Sequence, residues 1–143
     1  MDWKNITKEN NVTLHDHEIT EWIFGEDITL IFEDGFDVFA DCALNDTGRH
    51  KQTGSSAVIL KNGRFVSGFI SAGFVDRHIT CDELLKLDLE VLDFKRLPDR
   101  VIIDCDAWDK ETHKDAGFCE VEFSCEDVLY CWNEFTADAW FQK

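Results

Sequence analysis

Between Leu14 and Phe39 the chain reads LHDHEITEWIFGEDITLIFEDGFDVF, and its apolar positions recur at the two-residue period of a half-buried strand. Three consecutive antiparallel strands are predicted. The first runs roughly from His17 to Phe24, with Ile19 and Ile23 on one side and Trp22 and Phe24 on the other. Facing decides the second turn. A loop of only Asp34-Gly35 would set Phe32 opposite Asp37 and Leu30 opposite Phe39, whereas the loop Glu33-Asp34-Gly35 pairs Phe32 with Phe36, Leu30 with Val38 and Ile28 with Ala40. The second register gives one apolar face and puts Gly35 at the left-handed position that strains a residue with a Cβ.

After the polar segment Asn45 to Ser56, which carries Arg49, His50 and Lys51 and reads as a flexible exposed loop, a hairpin is expected over Ala57 to Phe69. Its loop is Asn62-Gly63, pairing Leu60 with Phe65 and Ile59 with Val66. Both faces of this hairpin are apolar, which places it centrally, covered on each side. One helix interrupts the strands, at about residues 81–87: Thr80 and Glu83 have capping-box spacing, and Ile79 and Leu84 sit where a hydrophobic staple would close. So short a helix must rest on a sheet, through Leu84, Leu85 and Leu87.

Alternation resumes at about Leu89 to Phe94, Val101 to Ala107 and Phe118 to Ser124, then near Val128 to Trp132. Val101, Ile103, Cys105 and Ala107 share one face, as do Cys119, Val121, Phe123 and Cys125, which makes these cysteines core residues. Phe135, Trp140 and Phe141 form an aromatic tail, and Pro98 falls between strands. About nine strands at hairpin spacing imply a mainly β fold, an antiparallel sandwich or partly closed barrel with one short helix. The chain of 143 residues reads as a single domain, 1–143, with residues 1–13 a loosely attached lead-in.

Charge narrows the partners. Thirty acids against fourteen Lys and Arg give a net charge of −16, which repels phosphate backbones and anionic membranes. Nucleic acid and membrane are therefore not expected as partners; a basic protein is. The opening MDWKNITKENN has no apolar run and no stretch approaches spanning length, so neither a signal peptide nor an anchor is expected. The six cysteines (42, 81, 105, 119, 125, 131) show no C-x-x-C pair and read as reduced thiols of a cytoplasmic protein. In that compartment the N-x-T triplets at Asn5, Asn11 and Asn45 carry no glycan.

Two constellations bear on chemistry. In His15-x-His17-x3-Glu21 the three side chains of an unbroken strand would project from one face and could converge on a divalent metal, the basis for a metal-dependent enzyme or small-ligand binder. The spacing resembles the first metal motif of the cupins, although Glu9 and Ile28 stand where that motif has Gly and no P-x-G precedes a later His. The second constellation is acidic. If the late strands bury the residues named above, their other faces present Asp88 and Glu90, Asp104 and Asp106, and Glu120 and Glu122. Like charges side by side on a sheet are destabilising, and a cationic partner would relieve them. No nucleophile elbow, P-loop or dinucleotide fingerprint is present, so no catalytic residue and no cofactor is assigned.

Leu14-His15-Asp16 leading into an alternating strand, Asp34-Gly35-Phe36, Asp82-Glu83-Leu84 and Tyr130-Cys131-Trp132-Asn133 resemble features of a loose family of small acidic bacterial proteins. Many of that family are uncharacterised, and some are grouped with immunity proteins of polymorphic toxin systems. The resemblance implies a cytoplasmic, non-catalytic protein that neutralises a basic toxin by binding it.

Overall fold

The computed structural model describes residues 2–143. In chain order the strands are β1 (Asn5–Thr7), β2 (Val12–Thr13), β3 (Glu18–Ile19), β4 (Glu21–Phe24), β5 (Ile28–Phe32), β6 (Asp37–Val38), β7 (Lys51–Thr53), β8 (Ser56–Lys61), β9 (Arg64–Ala72) and β10 (Val75–His78). A 3-10 helix (Cys81–Lys86) then leads into β11 (Leu87–Leu97), β12 (Arg100–Asp109), β13 (Asp115–Ser124), β14 (Asp127–Trp132) and β15 (Phe135–Asp138). All pairings are antiparallel. They build a front sheet ordered β10-β9-β13-β12-β11-β3, a back sheet ordered β1-β14-β8-β5-β4, and an end sheet ordered β15-β7-β6-β2.

Front and back sheets form a sandwich. From the front come Leu89, Val91, Val101, Ile103, Cys105, Ala107, Cys119, Val121 and Phe123; from the back come Trp22, Leu30, Val58, Leu60, Val128 and Tyr130. The two layers meet where Trp22 lies 5.4 Å from Phe123, and Phe94 6.5 Å from Tyr130, between ring centroids. Burying each such side chain contributes about 1.5–3 kcal/mol, which is why strict alternation in β11 to β13 translates directly into strands. The expected faces of β12 and β13 are observed, with every inward residue buried.

The meander at Leu14–Phe39 is not one sheet. The chain breaks at Thr20, whose N–H and hydroxyl both donate to Ile31 O, so β3 joins the front sheet and β4 the back. Ile19 and Trp22 are consequently both buried, and Ile23 is 47% exposed. The Glu33-Asp34-Gly35 turn exists, with Gly35 N donating to Phe32 O, but the segment after it pairs with β2 and β7, not β5. Both edges of β5 are already taken, by β4 and β8. Phe36 instead turns edge-on to Tyr130 and Trp132 and closes the end of the core.

Asn62-Gly63 likewise carries the chain between layers: β8 pairs with β5 and β14 in the back sheet, and β9 with β10 and β13 in the front. Asp27 anchors the crossing by accepting from Asn62 N at 2.9 Å and Lys61 Nζ at 2.9 Å. The helix has its capping box, with Leu84 buried, whereas Leu85 points to solvent. In place of the loose lead-in expected over residues 1–13, the described part, residues 2–13, is held to the sheets: β1 pairs with β14, β2 pairs with β6, and Val12 is buried. The segment after Asn45 is also ordered. Buried Asn45 donates to Val38 O, Phe39 O and Arg49 O, while Arg49 and Lys51 both bond Asp138 on β15. Trp140, in the tail, is 71% exposed.

Two outcomes follow from this packing. A Cβ on Gly35, at φ +84°, would lie 2.2 Å from Thr53 O, so Gly35→Ala is expected to lower unfolding stability by about 2 kcal/mol or more in urea titration. All six cysteines are unpaired, and all but Cys81 are buried. Burial pushes Cys119 up to about 12 and Cys131 to about 11, so thiol titration of the native protein should modify Cys81 first and reach Cys105, Cys119 and Cys131 only after denaturant.

Candidate functional site

The residues expected to share a metal are held apart by the break at Thr20. His15 Nδ1 donates to Leu92 O at 2.8 Å, beside the front sheet. His17 Nε2 lies 2.8 Å from Oδ2 of Asp37, a carboxylate with no solvent exposure, and ties β6 to the segment entering β3. Glu21 stands on β4, across the sandwich at the outer edge of the back sheet. Among the described residues no group of three His, Cys, Asp or Glu side chains is placed to hold a metal ion. His17 is explained by Asp37: a buried carboxylate needs a hydrogen-bonded, chargeable partner.

The acidic residues do assemble. Alternation in β11, β12 and β13 turns the apolar residues inward, so their carboxylates cover the outer face of the front sheet. Strand register sorts them into two rows. Glu18 pairs with Glu90, and Glu90 with Asp106; Asp93 pairs with Asp104, and Asp104 with Glu120. Neighbours in a row sit on adjacent strands, about 5 Å apart. Asp88 extends the face at one end, opposite Trp108, and Glu122 at the other, opposite Ile102. All six residues expected there are on this face; Glu18 and Asp93 join them. A bulge between Val91 and Asp93 shifts the parity of β11 and brings Asp93 outward, while β3 adds Glu18 from a strand only two residues long.

The rows are neutralised unequally. Lys95 Nζ is 3.1 Å from Asp104 and 3.9 Å from Asp93, and the bond to Asp104 holds the lysine pKa above its usual value. Asp104 also raises Glu120 through a side-chain hydrogen bond, with burial adding to it. Buried Asp104 Oδ1 has no hydrogen-bond partner among the described residues. In the other row Glu18, Glu90 and Asp106 have no ion pair among the described residues. Glu18 is pushed up, first by burial and then by the charge of Asp88. Lys110 sits at this end, bonded to Asp88 and donating to Thr20 O.

Beside this unpaired row lies a depression of about 310 Å³ lined by Glu18, Asp88, Glu90, Trp108 and His113. Trp108 is 38% exposed. An indole face ringed by carboxylates suits a lysine or arginine side chain, which it can meet by cation–π contact and ion pairing together. Trp108 and His113 were not foreseen from the sequence; the signal was Trp108 standing at an outward position of β12, in phase with Asp104 and Asp106.

No known family model, curated protein or solved structure matches the chain. No helix among the described residues is long and apolar enough to cross a membrane.

The pKa directions set a pH dependence. Glu18 and Glu120 bind protons more tightly folded than at the ordinary value of 4.5, so they favour the native state fully below that value and lose this contribution as pH rises through their folded pKa values. Asp138 behaves oppositely. Its bonds to Arg49 and Lys51 lower it from 3.8 to about 2, so its contribution is present above 3.8 and lost as pH falls through about 2. The melting temperature should therefore climb modestly as pH falls toward 4.5 and decline as it falls further, from 3.8 toward about 2. Glu18→Gln should flatten the climb and add about 0.5 kcal/mol at neutral pH, measured by thermal melts.

Proposed function

We propose that the protein is a non-catalytic binding module whose acidic front face captures a basic protein. The observation that carries this reading is the row Glu18, Glu90 and Asp106, three carboxylates on adjacent strands with no ion-pair partner among the described residues, flanking the Trp108 depression. A cationic side chain entering there would exchange like-charge repulsion for attraction and cover an exposed indole. The net charge of −16 would steer such a partner from a distance and make the association rate fall with salt. In the light of the resemblance to immunity proteins, the partner class is a basic toxin and the compartment the cytoplasm.

Capture from a bacterial lysate at low ionic strength should recover a basic protein and release it as salt rises. The decisive variant is Glu90→Lys with Asp106→Lys, which should weaken binding at least ~10-fold, with Trp108→Ala costing a further ~10-fold in calorimetric titration. Because the double reversal makes the Glu18–Glu90 position attractive and leaves positions 90 and 106 like-charged as before, its melting temperature should hold, so lost binding is separable from lost folding. Capture that ignores both salt and charge reversal would refute the electrostatic reading.

A further inference from the structure

After β15 the chain folds back onto the end sheet and is fixed there. Ala139 N donates to His50 O at 2.9 Å, His50 N to Gln142 Oε1 at 2.5 Å, and Gln142 N to Ala139 O at 2.9 Å. These bonds hold the tail rings against Phe39, around a cavity of about 270 Å³ lined by Thr13, His15, Phe39, Trp140 and Phe141. Phe39 and Phe141 are half-buried, with centroids 5.8 Å apart and planes inclined at 46°. His50 does not line the cavity but packs on both rings, at 5.5 and 5.2 Å, and so braces them. Trp140 meets Phe141 edge-on, at 5.4 Å and 88°, and its indole is 71% exposed, so the core does not depend on it.

The ring angles select the shape of an occupant. A flat ring calls for a slot between parallel walls, whereas walls inclined at 46° and 88° enclose a compact, rounded group. Charge selects its sign. Aromatic faces are electron-rich, so a cation gains from the rings where a neutral group gains only burial. No Lys or Arg lines the cavity, and His15 donates from Nδ1 to Leu92 O with Nε2 3.4 Å from the Asp16 carboxylate. A second cavity of about 270 Å³ continues from the first, sharing Thr13, His15 and Phe39, and it carries Asn10 and Asp93. Asp93 is only partly neutralised, since Lys95 lies 3.9 Å from it and closer, at 3.1 Å, to Asp104. Arg96 lies over the ring of Tyr130, in the second cavity, and is not among the residues lining either one.

We propose that Phe39, Trp140 and Phe141 form an aromatic cage for the quaternary ammonium group of a small molecule, whose short hydroxyl-bearing tail lies toward Asn10 and Asp93. Both cavities are below the usual size for a drug-sized ligand, which suits a small molecule. A tail ending in a carboxylate would meet Asp93 and be disfavoured. The cage shares no residue with Glu18, Glu90, Asp106 or Trp108, so it stands or falls separately from capture of a basic protein.

Choline is the probe, titrated into the full chain with choline replacing sodium at about 0.15 M ionic strength. Of the five indole N–H resonances, that of Trp140 should shift, with a dissociation constant on the order of 1 mM. Dimethylbutanol, the neutral carbon isostere of choline, should bind at least ~10-fold more weakly, and glycine betaine ~3- to 10-fold more weakly. Trp140→Ala should weaken choline at least ~10-fold and Trp140→Phe ~3-fold, with the melting temperature of both unchanged because the indole is exposed. An isostere that binds as well as choline would show a merely apolar cavity and overturn the proposal. So would a titration that survives Trp140→Ala, or no shift up to about 20 mM choline. A trimethyllysine peptide that binds at least ~10-fold more tightly than choline would overturn the assignment to a small molecule.

Discussion

A strand has two hydrogen-bonding edges, and the placement of β5 and β8 in the interior of the back sheet uses all four of theirs. With β4, β8 and β14 occupying those edges, neither the segment after Gly35 nor the segment after Gly63 can fold back as a hairpin. Each must cross. The first crossing delivers Phe36 to the end of the core, where Thr53 Oγ1 accepts from its N–H at 3.0 Å. The second delivers β9 to the front sheet, where it pairs with β13. The end sheet and the outer limit of the front sheet are consequences of that occupancy. Local turn chemistry is the same in a hairpin and in a crossing, which is why Asn62-Gly63 and Glu33-Asp34-Gly35 are real turns that lead elsewhere.

The front sheet shows how unequal energies divide a strand's two faces. Each inward residue of β11, β12 and β13 contributes a kcal/mol or more by leaving water, whereas each pair of like charges on the outward face costs a few tenths. Burial wins, and the outer face is free to accumulate carboxylates that would not otherwise be neighbours. Where repulsion becomes too great the chain relieves it locally. Lys95 serves Asp93 and Asp104, and Asp104 raises the pKa of Glu120 beside it. The row Glu18, Glu90 and Asp106 has no such relief except Lys110 at its margin, held by Asp88 and Thr20.

What the sequence discloses follows the range of the interactions. The period-two stretches in β12 and β13, the capping box at Thr80 and Glu83, and the inward cysteines at 105 and 119 are visible because each depends on neighbours within one element or one hairpin. The six acids of β11, β12 and β13 could be placed on one face for the same reason. Glu18 and Asp93 could not, since one arrives through a two-residue strand and the other through a bulge that reverses parity. His15, His17 and Glu21 misled because their common face assumed an unbroken strand. Thr20 breaks it by bonding Ile31 O, and His17 turns to a buried carboxylate twenty residues away.

Rigidity links this architecture to binding. Apart from Glu18 on the two-residue β3, the carboxylates sit on the longest strands of the fold, joined consecutively by hairpins and backed by a continuous core, so these cannot relax apart without breaking the sheet. Their repulsion is therefore carried by the native state. A cation that enters the row recovers that energy as affinity, without ordering a loop or moving the backbone, and a flexible acidic tail of the same charge would have no such energy to return. The same rigidity explains why Trp108 matters beyond its area. Held on β12 in phase with Asp104 and Asp106, its indole lines the depression with no partner present, so under the proposed reading the site would be formed before it is filled.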